Sequence, residues 1–404
     1  MNVIETELRL GMQFYQRQSL VIERGSGSFV WDLDGVKYLD FTSGWGVTCL
    51  GHTHPVVIEA LTLQANKIMQ NPNSGFTFSA ARAELFLQLE RILPAHLLKY
   101  FAVNSGAEAN DAALKLARKA TGRLKVVSTR DSFHGRTFNT ICVSGNESNR
   151  SSFPGPSFDT QFVQFNDLNE LEQAVDHDTA AVIVEPIQGE GGVQIPAVNY
   201  LSSVSDICKR NSALLILDEI QTGFCRTGKM FAVQHSNKPV YPDIMTLGKG
   251  VACGYPFGLV AITQNVSEAL EMGDHGGTYC GNPLGCKVAA SVVDYLIEHS
   301  VAEKSAVSGA TLLQGLRQLQ LKHPEIIHCV RGTGLLTALE LNDDSLVQPL
   351  TQACQRRKLL VTPTRNGIIR LIPDLLVDAE LITQALYCLD LALSDLYTEV
   401  AVNS

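Results

Sequence analysis

Between residues 50 and 285, short aliphatic runs alternate with stretches of helical periodicity, and this alternation narrows the possible folds most. The runs include K-V-V-S-T (125–129), A-A-V-I-V-E-P (180–186), A-L-L-I-L-D (213–218) and G-L-V-A-I-T (258–263). A strand that is apolar on successive residues is buried on both faces, as in a sheet covered by helices on either side. Strands of this kind alternating with helices predict an α/β fold around a doubly wound, mostly parallel sheet. In such sheets ligands bind beyond the carboxyl ends of the strands. The chain has 404 residues, enough for two domains that share one active site.

The flanking sequence reads differently. Residues 1 to about 25 read as an N-terminal arm. F-V-W-D-L-D-G-V-K-Y-L-D-F (29–41) alternates around an Asp-Gly turn and predicts a hairpin. Beyond residue 286, amphipathic helices over 286–298 and 310–321 are followed by short strands in G-L-L-T-A-L-E-L and G-I-I-R-L-I-P. The expected division is an arm and hairpin (1–50) that belong to a small domain, a large domain (51–285), and a C-terminal small α+β domain (286–404).

The formal charge is −9 and basic residues form no block, which disfavours nucleic acid as a partner. No apolar run approaches the ~20 residues of a membrane span. M-N-V-I-E-T-E-L-R-L does not resemble a secretory signal. The ten cysteines show no paired spacing and read as reduced packing residues of a cytoplasmic protein. No convergent ligand set accompanies His52 and His54, so no metal is expected.

The chemistry is concentrated in L-D-E-I-Q-T-G-F-C-R-T-G (217–228) and P-D-I-M-T-L-G-K-G (242–250). The first places Asp218 at the end of a core strand, and the second sets Lys249 between two glycines. Pyridoxal phosphate chemistry needs both groups: a lysine for the Schiff base and a carboxylate that keeps the pyridine nitrogen protonated. The plainer alternatives are a turn cap for Asp218 and a solvated loop lysine for Lys249. In N-S-G-A-E-A-N (104–110), Ser105 is a natural helix N-cap, and the helix start is also an anion site. Arg370, inside the apolar G-I-I-R-L-I-P, is costly to bury unless paired, and Glu190 in E-P-I-Q-G-E-G-G is the candidate partner.

These blocks, together with F-H-G-R-T (133–137) and H-G-G-T-Y-C-G-N-P (275–283), resemble the class III (subgroup II) pyridoxal-phosphate-dependent aminotransferases almost end to end. That group includes the acetylornithine, ornithine, 4-aminobutyrate and diamine aminotransferases. The resemblance implies fold type I and a homodimer with shared active sites. It also implies ping-pong transfer of an amino group, from an amine or ω-amino acid with a distal amine, to 2-oxoglutarate through a Lys249 Schiff base. Residue by residue, Ser105, Gly106 and Ala107 would cradle the cofactor phosphate, and Phe133 would stack on the ring. Gln221 would meet its 3-oxygen, and Thr278 would reach the neighbouring subunit's phosphate. Arg136 would bind a substrate carboxylate. Arg370 and Glu190 would form a switch that opens for the α-carboxylate of the acceptor. Glu185 would support the site from behind.

The chain departs from its apparent relatives at Gly277, where Ser or Thr is common and helps hold acetylornithine. It departs also at Trp45, expected to shape the donor end, and at Cys225, Cys253 and Cys280, where glycine is frequent. Alternative readings are an aminomutase or decarboxylase of the same fold, or a non-catalytic paralogue that binds the cofactor. Keeping both Arg136 and Arg370 favours an external oxo-acid acceptor, and keeping Lys249 and Asp218 favours catalysis.

Overall fold

The computed structural model describes residues 2–152 and 159–403. A seven-stranded sheet lies at the centre. In spatial order its strands are Leu97–Val103, Gly258–Thr263, Ile244–Leu247, Leu214–Asp218, Thr179–Val184, Lys125–Thr129 and Thr160–Val163. From Ile244–Leu247 outward to Thr160–Val163 every pairing is parallel. Gly258–Thr263 runs antiparallel to both of its neighbours. It is buried nearly throughout, as are the parallel strands Thr179–Val184 and Ile244–Leu247. An apolar run buried on two faces carries no mark of strand direction.

This register brings several strand ends to one edge. Leu217 pairs with Val184, and Asp218 with Thr246. The residues just beyond, Glu185, Asp218 and Lys249, therefore emerge side by side. Leu97–Val103 points the same way as Ile244–Leu247, since the strand between them is antiparallel to both, and it delivers residues 104–107 to the same edge.

In the predicted hairpin, Phe29–Asp32 pairs with Lys37–Asp40. The Asp32 carboxylate closes the turn by accepting from the Asp34 and Val36 amides at 3.1 and 2.8 Å. Gly35 takes the left-handed φ of +76° that the turn requires. Leu39 of this hairpin pairs in parallel with Leu359, more than 300 residues later in the chain. A separate antiparallel sheet holds Ile327–Thr333, Leu336–Leu341, Ile368–Leu371 and Thr362–Pro363, covered by the helices Val301–Lys322 and Val347–Arg356. The helix Pro283–Glu298, capped by Asn282, packs on Pro55–Ala65 and Ala80–Ile92, so the 285/286 division falls inside it. One continuous apolar cluster includes Leu39, Leu217, Leu339 and Leu371 and joins all these parts. Among the described residues, no helix is long and apolar enough to cross a membrane.

Candidate active site

Asp218 is held in place by two side chains from elsewhere in the chain, His134 in the loop after Lys125–Thr129 and Asn110 in the helix Gly106–Thr121. His134 Nδ1 lies 2.7 Å from Asp218 Oδ2, and Asn110 Nδ2 donates to the same oxygen at 2.7 Å. Asn110 also donates to the His134 carbonyl at 2.8 Å and accepts from Thr246 Oγ1 at 2.7 Å. The Ile220 amide donates to Asp218 Oδ1 at 3.0 Å. All three side chains are buried. The sequence reading missed His134 and Asn110 as supports, although both lie within quoted blocks, H in F-H-G-R-T and the last N in N-S-G-A-E-A-N.

Glu185 is buried beside them, and its Oε2 has no partner. Burial first, and the charge of Asp218 second, push its carboxyl well above the usual range. A raised carboxyl pKa is the expected outcome where a second carboxyl shares a dry site.

Lys249 opens a single 3₁₀ turn, Lys249–Ala252, and takes a left-handed φ of +44°. For a non-glycine residue this costs roughly 1–3 kcal/mol and tends to occur at functional sites. Solvent reaches part of the residue, yet burial of its amine is the largest cause of a pKa held below the ordinary lysine value. Nearby Glu190, Glu185 and Asp218 oppose that shift, and Arg370 adds to it. A lowered amine pKa supplies the neutral lysine that carbonyl chemistry needs. Close packing favours glycine at 248, where a Cβ would lie 3.2 Å from Ile220 Cγ2 and 3.3 Å from Gly106 Cα, while at 250 a Cβ would meet Cys49 Cβ in an ordinary contact of 3.4 Å.

Gly106 begins the helix Gly106–Thr121, and Ser105 Oγ caps it by accepting from the Glu108 amide at 3.1 Å. The first amides of a helix lack intrahelical acceptors, so those of Gly106 and Ala107 can meet an anion.

Arg370 is fully buried, whereas the Glu190 side chain is 36% exposed, and Arg370 Nη2 donates to Glu190 Oε1 at 2.6 Å. The pairing expected from sequence is therefore present. Burial raises the Glu190 pKa, but Arg370 and Lys249 outweigh it and the net shift is downward. Arg370 Nη1 donates to Gln221 Oε1 at 3.1 Å, and the buried Gln221 Nε2 has no partner.

Phe133 and Arg136 line a cavity of ≈ 240 Å³ together with Asn146, Glu190, Thr364 and Arg365. The exposed Arg136 guanidinium lies 5.9 Å from the Tyr15 ring centroid, and Tyr15 lies 6.2 Å from Trp45. Trp45 is exposed in a segment that takes a left-handed turn at Gly44 and Trp45. Thr278 is not drawn into this constellation. It is exposed, and its carbonyl accepts from Gln70 Nε2 at 2.6 Å and from Ser74 Oγ. A Cβ on Gly277 would lie 2.6 Å from Cys280 Sγ, so a Ser or Thr at 277 requires Cys280 to move. The two departures at 277 and 280 are thus coupled by space. Cys225 is buried, its thiol 4.0 Å from Met230 Sδ.

These groups suit pyridoxal phosphate: a buried acid at a strand end, an orphaned buried amide donor at Gln221, a helix start for an anion and a lysine of lowered pKa. The family model of the class III aminotransferases matches residues 13–393. The chain belongs to the class III aminotransferases. An acetylornithine aminotransferase of Methanothermobacter thermautotrophicus is 39% identical over 394 residues, 98% of this chain and 99% of the relative. Ornithine aminotransferase 1 of Staphylococcus aureus is 39% identical over 92% of this chain and 93% of the relative. Among solved structures, the ornithine aminotransferase of Toxoplasma gondii superposes with a TM-score of 0.92 at 32% identity, covering 98% of this chain and 95% of that one. A Virgibacillus transaminase gives a TM-score of 0.93 at 26% identity, over 98% of this chain and 99% of its own. This class III aminotransferase is therefore a fold type I, pyridoxal-phosphate-dependent enzyme.

Proposed function

We propose that this class III aminotransferase takes the distal amino group of an amine or ω-amino acid and delivers it to 2-oxoglutarate in two half-reactions. The observation that carries this reading is the pair of a fully buried Arg370 and a partly exposed Glu190 at 2.6 Å. A buried guanidinium needs an anion, and an exposed acid can leave at less cost than a buried one. With Glu190 in place, the arginine is masked and an amine-ended donor fits. With Glu190 swung out, the guanidinium meets the α-carboxylate of the acceptor through two parallel hydrogen bonds.

Bound here, pyridoxal phosphate supplies an electron sink for the carbanion left when the substrate carbon loses its proton. Asp218, oriented by His134 and Asn110, would keep the pyridine nitrogen protonated. Gln221 Nε2 would donate to the 3-oxygen, Phe133 would pack on the ring face, and the amides of Gly106 and Ala107, with Ser105, would hold the phosphate. The amine of Lys249, freed when substrate binds, would carry the proton between the substrate carbon and the cofactor's C4′. Arg136 would take the distal carboxylate, with Trp45 and Tyr15 closing the donor end.

The working unit in this reading is a homodimer. Phe76, Phe78, Met272 and Tyr279 are exposed on two segments joined by the hydrogen bonds to the Thr278 carbonyl. An apolar patch of this kind is a surface for another chain, and it would set Thr278 against the partner subunit's phosphate site. The names of the relatives make ornithine and acetylornithine the first donors to test. A screen of amine donors against 2-oxoglutarate, with glutamate as the readout, tests the reading. Glutamate formed from distal amines supports it; transfer only to pyruvate overturns the choice of acceptor.

A further inference from the structure

We propose that Cys49 and Cys253 are a reversible dithiol–disulfide site that clamps the turn carrying Lys249. The two cysteines are far apart in sequence but meet beneath that turn. Cys253 ends the 3₁₀ turn Lys249–Ala252 in a left-handed conformation, φ +44°. The Gly250 carbonyl accepts from Cys49 Sγ at 3.0 Å and from the Cys253 amide at 3.4 Å. The Leu50 amide donates to Cys253 Sγ at 3.2 Å. Each thiol thus reaches the backbone beside the other: Cys253 Sγ also lies 3.9 Å from the Gly51 carbonyl oxygen, and both cysteines are free and buried. Cys49 follows closely on the segment that carries Trp45, so the pair joins the donor end of the site to the lysine turn.

The surroundings distinguish the two sulfurs. The neighbouring Cys49 side chain is the largest cause lowering the Cys253 thiol; burial opposes it, and the Leu50 amide adds to it. Cys49 is pushed well up, by the Cys253 side chain first and by burial second. Arg226 is fully buried nearby and donates to the Leu335 and Pro373 carbonyls at 3.1 and 2.5 Å. Its Nη2 has no partner, and both thiols lie within its electrostatic reach. The Leu50 amide donates to Cys253 Sγ and favours negative charge there, whereas the Cys49 proton is held on the Gly250 carbonyl, so Cys253 is the thiol that gives up its proton and attacks, and Cys49 is the resolving thiol.

The oxidant is a hydroperoxide, small enough to reach a buried pair. The Cys253 thiolate attacks one peroxide oxygen and the O–O bond breaks, giving the sulfenic acid and hydroxide, which becomes water on taking a proton. The Cys49 sulfur then attacks the sulfenic sulfur, the S–O bond breaks, and the released hydroxide leaves as water with the Cys49 proton. In sum, two thiols and one hydrogen peroxide give one disulfide and two waters. An S–S bond of ~2.0 Å draws the sulfurs closer than two unbonded thiols can lie. It also strips Gly250 of its S–H donor, so the Lys249 turn must shift.

The test uses the full-length holoenzyme, treated with hydrogen peroxide, alkylated under denaturing conditions and mapped by mass spectrometry. The expected product is a Cys49–Cys253 linked peptide pair, two hydrogens lighter than the separate peptides and split by dithiothreitol, with the other cysteines alkylated. Turnover should fall ~10–100-fold, the scale on which ångström misplacement of a reacting group is felt, and return on reduction. Cys49→Ser and Cys253→Ser should each keep their untreated rate in peroxide. Alkylation of both cysteines after treatment, irreversible overoxidation of Cys253, or a disulfide elsewhere would overturn the site. A linked pair with unchanged turnover would overturn the clamp. The mass map of the unmutated enzyme decides the first point even if a variant fails to fold.

Discussion

Arg370 Nη1 donates to Gln221 Oε1 at 3.1 Å, which connects the arginine assigned to the acceptor with the amide assigned to the cofactor ring. With Glu190 on the other guanidinium nitrogen, the three side chains form one hydrogen-bonded string. A change at either end should be felt at the other.

Gly189 tests this string without touching any charge. A Cβ there would lie 1.6 Å from Gln221 Oε1. Gly189→Ala should displace the amide, weaken cofactor binding by about tenfold, in line with losing one ordinary hydrogen bond of ~1 kcal/mol and its alignment, and raise the KM for the acceptor. Cofactor titration followed by absorbance, with acceptor kinetics, checks this. Unchanged affinity and KM would mean that the string is not coupled.

The Asp218 cluster separates a charge from its supports. Asp218→Ala should lower kcat by at least ~100-fold, as expected for losing a charge aimed at the transition state. His134→Ala removes only one charge-assisted hydrogen bond, worth about 1.5–3 kcal/mol, or roughly 10–100-fold in rate. It should leave the cofactor in place. Equal and total loss of cofactor in both variants would make the cluster a folding element instead.

Lys249→Ala should retain the fold and the cofactor but lose multiple turnover by at least ~1000-fold, as for removal of a positioned proton carrier and nucleophile. Comparing steady-state rates with the visible spectrum checks this, and near-normal turnover would refute the assignment.

Glu219, next to Asp218, makes a testable pH statement. It is fully buried and caps the Ala232–His235 turn by accepting from the Ala232 and Val233 amides at 3.0 and 2.8 Å and from Thr222 Oγ1. Burial outweighs those bonds and pushes it up to about 7. Between about pH 4 and 7 the folded protein therefore keeps a proton that the unfolded chain has released, so stability falls as pH rises through that window. The contribution is roughly 2–4 kcal/mol across it. Thermal melts of Glu219→Gln should show a flatter Tm against pH over this range than the parent. Parallel curves would exclude the titration.

Much of this was legible in the sequence because the blocks are contiguous. The run ending at Asp218 marks a strand, and the arginine in I-I-R-L required an acid, which Glu190 supplies at 2.6 Å. Relations across the fold were harder to read. His134 lies 84 residues from Asp218, and Asn110 lies 108. Neither spacing has a local period that would reveal contact. The direction of Gly258–Thr263 was hidden for a similar reason, since two-sided burial selects the same residues in either orientation. The Cys49–Cys253 meeting had no sequence signal, and the clash that a side chain at 277 would make with Cys280 depends on how the folded backbone brings the two together.

Timing the two half-reactions in Arg370→Ala and Glu190→Ala tests the central claim most directly, with the cofactor's absorbance as the clock. In Arg370→Ala, the acceptor half-reaction with 2-oxoglutarate should lose about 2–5 kcal/mol of stabilisation, as for removal of a buried charge-paired contact. The donor half-reaction should change far less. In Glu190→Ala, glutamate should become a better competitor with the distal-amine donor, because the unmasked guanidinium attracts its α-carboxylate. Equal slowing of both half-reactions in Arg370→Ala, with no change of donor preference in Glu190→Ala, would contradict the gate and with it the proposed division of the site between donor and acceptor.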